Sequence, residues 1–140
     1  MALMEWNDRL SVGVDMIDGD HKRLVAMVNE LHDAVRAARG KDVLGKTLDG
    51  LIEYTKTHFG REEAEMAKWG YPKAADHLRE HQALAKQVLD VQAKYRAGNN
   101  AVLSMEVMAF LRDWLLKHIQ ASDRALGVFL IEQKKKQKAA

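Results

Sequence analysis

The chain has no cysteine, a single proline, and aromatic residues at only 6% of its 140 positions. Without thiols it cannot build disulfides, iron–sulfur clusters or thiolate metal sites, so any metal it holds must be bound by nitrogen and oxygen. Long apolar runs are missing as well. No stretch approaches the ~20 apolar residues of a membrane span, and Glu5, Asp8 and Arg9 interrupt the segment where a signal peptide would need its apolar core. These absences predict a cytoplasmic protein with no transmembrane segment. There is also no large excess of one charge. The net charge is +2, and Lys134, Lys135, Lys136 and Lys138 more than account for it, leaving the rest slightly acidic. A basic run confined to the last residues predicts a solvated tail, and no feature of the body points to nucleic acid.

What is present is enough for one domain, since 47% of the residues are hydrophobic and a chain of this length can bury a sizeable core. Gly40, the stretch Trp69-Gly70-Tyr71-Pro72 and Gly98-Asn99-Asn100 cut the chain into four long segments. The first, from about Asp20 to Ala38 with Asp18 or Asp20 as its N-cap, aligns His21, Leu24, Val25, Val28, Leu31 and Val35 on one face. The second, from about Val43 to Lys68, aligns Leu48, Leu51, Ile52, His58, Phe59, Glu62 and Met66; the third, starting just after Pro72, aligns His77, Leu78, His81, Leu84 and Val88. The fourth, from about Ala101, aligns Leu103, Val107, Leu111, Trp114, Leu115 and His118. No segment alternates with the period of two that a strand requires. The pattern predicts an all-α, up-down-up-down four-helix bundle at 19–126, with an N-terminal arm at 1–18 and a C-terminal extension at 127–140 that combines a short helix with the basic tail.

Polar residues interrupt all four apolar stripes. A buried imidazole or carboxylate without a partner costs several kcal/mol, so their presence calls for compensation, and a metal supplies it. His58 and Glu62 are four apart, as are His77 and His81; at ~100° per residue each pair diverges by only about 40°. One such pair alone is an ordinary helix-surface feature. In an antiparallel bundle, however, His21 near the start of the first helix lies level with His58 near the end of the second, and His77 and His81 lie level with His118. All then converge on one end of the interior. His118 and Asp123 are five apart, which a regular α-helix would splay by about 140°; a π-bulge would realign them. Glu65 shares the face of His58, so spacing does not choose between Glu62 and Glu65. His32 lies too far along the first helix to join this group and reads as a bundle-end or surface residue.

The segments Ile17-Asp18-Gly19-Asp20-His21-Lys22, His58-Phe59-Gly60-Arg61-Glu62-Glu63-Ala64-Glu65-Met66, Tyr71-Pro72, His77-Leu78-Arg79-Glu80-His81 and His118-Ile119-Gln120-Ala121-Ser122-Asp123 resemble the pattern of the hemerythrin family over nearly the whole chain. The resemblance implies two iron ions with an oxo or hydroxo bridge. His77, His81 and His118 would hold one iron, His21 and His58 the other, and Glu62 and Asp123 would bridge them. Asp20 stands where the family often has Gln, a departure expected to touch no ligand. The resemblance further implies reversible binding of dioxygen rather than catalysis, in an oxygen pocket bordered by Leu115 and Trp114. It suits transport, storage or delivery to an oxygen-consuming enzyme partner, with a monomer favoured. Oxygen or redox sensing, iron storage, and di-iron oxidase or peroxidase activity are the rival readings. Carboxylate-rich ferritin-like sites are built on Glu-x-x-His motifs, and the imidazole-rich set here argues against such oxidative chemistry.

Overall fold

The computed structural model describes residues 3–139, of which the helices are α1 (Asp15–Arg36), α2 (Lys41–Trp69), α3 (Ala74–Arg96), α4 (Met105–His118) and α5 (Arg124–Ala139). A π-helical turn, Ile119–Asp123, joins α4 to α5 without a break, because the residues that flank it keep right-handed helical angles. The result is four rods with short connections, and hence antiparallel neighbours, in a bundle without strands among the described residues. None of the described helices is long and apolar enough to cross a membrane.

Local chemistry explains where the rods start and stop. Ser104 caps α4 by accepting from the Val107 amide. Gly70 ends α2 in the left-handed conformation, φ 66°, that an L side chain adopts poorly. α1 begins at Asp15 rather than near Asp20, and its first residue follows Val14, which offers no side-chain cap. The two aspartates expected to cap it do other work. Asp18 reaches back to the arm, accepting from the Val12 amide at 2.8 Å and the Ser11 hydroxyl at 2.5 Å, while Asp20 turns into the bundle and is buried. The fourth rod likewise starts later than the apolar pattern indicated, at Met105, after a 3₁₀ turn at Asn100–Val102. It runs on as helix through Ala139, so the lysines near its end stand exposed on a helix.

The arm before α1 is held along the bundle. Met4 exchanges two hydrogen bonds of 2.9 Å with the side chain of Asn29, and Met4, Leu10, Val12 and Val14 are buried. The apolar interior has two parts. The larger contains Leu24, Leu31, Ile52, Phe59, Leu84, Met108 and Leu115, and the smaller contains Val12, Ile17, Met66, Tyr71, Leu126 and Leu130. Along α1 the chain passes from Ile17 to Leu24, and along α2 from Phe59 to Met66, crossing from one part to the other. Between these apolar layers lie His21 and Glu62.

Candidate metal centre

Seven polar side chains form the layer between the two apolar parts: His21 from α1, His58 and Glu62 from α2, His77 and His81 from α3, His118 at the end of α4 and Asp123 at the end of the π turn. All are at most 3% exposed, a burial that is costly for charge unless it is paired or bound to metal. They fall into two groups that share both carboxylates: Glu62, His77, His81, His118 and Asp123, and His21, His58, Glu62 and Asp123. Glu65, the competing carboxylate on α2, is not among them and accepts from the Trp69 indole at 3.0 Å instead. His32 is also outside the cluster, but it is buried rather than at the surface: it is 5% exposed, and its Nδ1 lacks a hydrogen-bond partner.

Each carboxylate presents one oxygen to each group. Glu62 Oε1 is 2.9 Å from His77 Nε2 and 3.1 Å from His81 Nε2, while its Oε2 is 2.9 Å from His58 Nε2 and 3.5 Å from His21 Nε2. Asp123 Oδ1 is 3.0 Å from His77 Nε2 and 3.1 Å from His118 Nε2, and its Oδ2 is 2.8 Å from His21 Nε2. The π turn makes this possible by bringing Asp123 onto the face of His118. His77 Nε2 is hydrogen-bonded to Glu62 Oε1, but most of these close approaches are not hydrogen bonds. His21 Nε2, His81 Nε2, His118 Nε2, Glu62 Oε2 and both Asp123 oxygens are buried without a hydrogen-bond partner. Lone pairs aimed at shared points instead of at one another's protons are the donor arrangement that a pair of cations satisfies, so the residues fit a two-metal site.

Outer partners set the tautomers. His58 Nδ1 donates to Asp20 at 2.9 Å, His81 Nδ1 to Glu63 at 3.1 Å, and His118 Nδ1 to Glu80 at 2.9 Å. Donation from Nδ1 leaves the Nε2 lone pair facing the cluster, the form that binds metal. Two of the three outer carboxylates are themselves held: Asp20 by the Tyr54 hydroxyl at 2.7 Å and by Arg61, Glu80 by the Ser122 hydroxyl at 2.7 Å. The departure at Asp20, expected to touch no ligand, therefore contacts His58 directly. Two rings add apolar support, since Phe59 stacks on His81 with centroids 3.7 Å apart and Trp114 stacks on His118 at 4.5 Å. Ligating imidazoles are usually oriented by such partners, but sequence spacing does not say which residues they are. Glu80 and His118 are 38 positions apart, and no local pattern links them.

Electrostatics follow from this crowding. For His21, burial works to lower the pKa, but the carboxylates of Asp123 and Glu62 lying against the ring outweigh it and raise the value to about 9; His77 is raised to about 9 by the same two carboxylates against its burial. Burial alone would raise the carboxylates, and for Asp123 so would the nearby Glu62 charge, yet the surrounding histidines hold Asp123 and Glu62 well below the ordinary range. Asp20 is also lowered, as the bonds from His58, Tyr54 and Arg61 overcome its burial.

The family described as the hemerythrin HHE cation binding domain matches residues 12–129. The chain belongs to the hemerythrin family. It is similar to the bacteriohemerythrin of Methylococcus capsulatus, at 41% identity over 91% of this chain and 96% of that protein. The bacteriohemerythrin of Stenotrophomonas maltophilia is 37% identical over 89% of this chain and 80% of that protein. Among solved structures, a wild-type hemerythrin superposes with a TM-score of 0.85 at 41% identity, covering 92% of this chain and 98% of that one. A leucine-to-alanine mutant hemerythrin gives 0.86 at 41% identity, covering 93% and 98%. The family is one of di-iron, oxygen-binding proteins, and the buried His/Glu/Asp cluster of this chain suits that metal centre.

Proposed function

We propose that the protein binds dioxygen reversibly at a di-iron centre and serves to carry, store or deliver it to an oxygen-consuming partner, without catalysing a reaction of its own. In this reading His77, His81 and His118 hold one iron, His21 and His58 the other, and Glu62 and Asp123 bridge the two. The observation that carries it is the sharing of both carboxylates, each with one oxygen toward the three-histidine group and one toward the two-histidine group. Two-metal sites have ions about 3.5–4 Å apart, a separation that a carboxylate spans with its two oxygens.

When bound in its reduced form, the iron pair would supply the electrons for reversible capture of dioxygen. The protein's own part is unequal ligation, orientation and exclusion of water. His21 and His58 together provide one imidazole fewer than the other group, which leaves that side more open to an incoming ligand. The outer bonds from Asp20, Glu63 and Glu80 fix His58, His81 and His118 in their metal-facing tautomers. Leu115 and Trp114 border an apolar cavity on the side of Phe59. They form the wall that keeps water and stray protons from the oxygen pocket, with Leu115 as its gate.

Optical titration of the reduced, iron-loaded protein tests the proposal. Oxygenation should produce a visible charge-transfer band that disappears under vacuum and returns with air. A band that bleaches irreversibly, or steady substrate turnover, would replace this reading with the storage or oxidase one. Iron analysis should give two ions per chain.

A further inference from the structure

We propose that the apolar cavity between α3 and α4 is a binding site for an uncharged organic molecule with an apolar body and a single hydroxyl head, such as a medium-chain alcohol. The cavity has a volume of about 410 Å³, within the range of small-molecule sites. Its depth is aliphatic, lined by Leu24, Ile52, Leu84 and Leu111, all buried. Side chains facing such a space lack dispersion partners on one side, and water would find too few hydrogen bonds among them to be a good filler. An apolar guest supplies the contacts that water cannot.

The mouth selects the head group. The charged residues lining the cavity are Asp90 and Glu106, both acidic and both exposed, one from α3 and the other from α4. Thr55, deeper inside, already donates its hydroxyl proton to the Leu51 carbonyl at 2.7 Å, so it has only acceptor capacity left. The rim is negative at Asp90 and Glu106, and the exposed Gln87 amide can both donate and accept; it suits an uncharged hydroxyl, which also does both, and disfavours a fatty-acid carboxylate of the same length. The site uses none of the seven clustered metal-binding candidates, so it stands whether or not the oxygen reading holds.

Calorimetric titration of the iron-loaded protein with 1-decanol and with decanoate tests this inference. One saturable site for decanol is expected, with decanoate weaker by about tenfold or more at neutral pH because two like charges oppose it. Val88→Phe and, separately, Val107→Phe place a ring in the cavity. Each should weaken decanol binding about tenfold or more by taking up guest volume, with iron content and helical circular dichroism unchanged. If one of the two fails to fold, the other decides. The pair Asp90→Asn and Glu106→Gln should bring decanoate closer to decanol. Absence of saturable decanol binding, equal affinity for decanoate, or parent-like binding in a folded Phe variant would each overturn the proposal.

Discussion

A histidine that binds metal through Nε2 must keep its proton on Nδ1, and at His58 that duty falls to Asp20. Asp20 accepts from three groups at once: His58, Tyr54 and Arg61. Asp20→Asn keeps the shape but removes the charge that Arg61 and the imidazole rely on. It should cost about 1–3 kcal/mol of stability and weaken iron at the His58 position by about 10–100-fold, measured by denaturant unfolding and by competitive chelation. Lost stability with unchanged iron affinity would make Asp20 packing only. Leu115, 8% exposed and lining the cavity one helical turn before His118, is tested differently. Leu115→Ala should cost ~2–5 kcal/mol and leave a void beside the centre, while both irons stay because no ligand changes. If Leu115 gates the pocket, autoxidation should rise more than oxygen affinity falls; a parent rate of autoxidation in a destabilised variant removes the gate.

At the scale of elements, the contact between the arm and α5 depends on the absence of a side chain. A Cβ placed on Gly127 would overlap the Val12 carbonyl oxygen and stand 2.9 Å from the Val12 Cβ. Helix propensity alone predicts that Gly127→Ala stabilises α5 by about 0.8–1.0 kcal/mol. The close approach predicts the reverse, because relieving the overlap must shift backbone: a loss of about 1–3 kcal/mol, read as a lower thermal midpoint and faster proteolysis of the arm. The π turn is the other element on which the site depends. It was legible as a conflict in spacing, since His118 and Asp123 cannot share a face in regular helix, and the structure resolves that conflict where it arises, at Ile119–Asp123.

For the whole molecule, the buried cluster ties stability to pH and to metal. In the metal-free protein His21 and His77 have pKa values near 9 against an ordinary 6.5. Groups raised on folding stabilise fully below their unfolded pKa and lose that contribution as pH rises through the folded one. Glu62 and Asp123 are lowered from 4.5 and 3.8, so their contribution is present above those values and is lost as pH falls through the depressed folded ones. Metal-free protein should therefore be most stable between about pH 4.5 and 6.5, declining toward pH 9 and in acid. Bound iron requires neutral histidines and removes the alkaline decline. Urea unfolding with and without metal across this range checks the sign; a flat metal-free profile from 6.5 to 9 would mean that His21 and His77 carry no proton there.

The amino-acid sequence by itself determined the helical class, the four apolar stripes and the polar exceptions within them, because each is a local pattern with the 3.6-residue period of a helix. His21, His58, His77, His81 and His118 were recognisable as histidines on core-facing positions. Spacing left Glu62 and Glu65 open, since periodicity reports a face and not a level; the family resemblance implied Glu62, and only the tertiary structure puts Glu62 in the cluster and Glu65 outside it. It also decided that Asp20 turns inward instead of capping α1, that His32 is buried, and that Glu80 orients His118. These depend on the register between rods far apart in sequence, set by how the two apolar layers pack above and below the cluster and not by any residue's near neighbours.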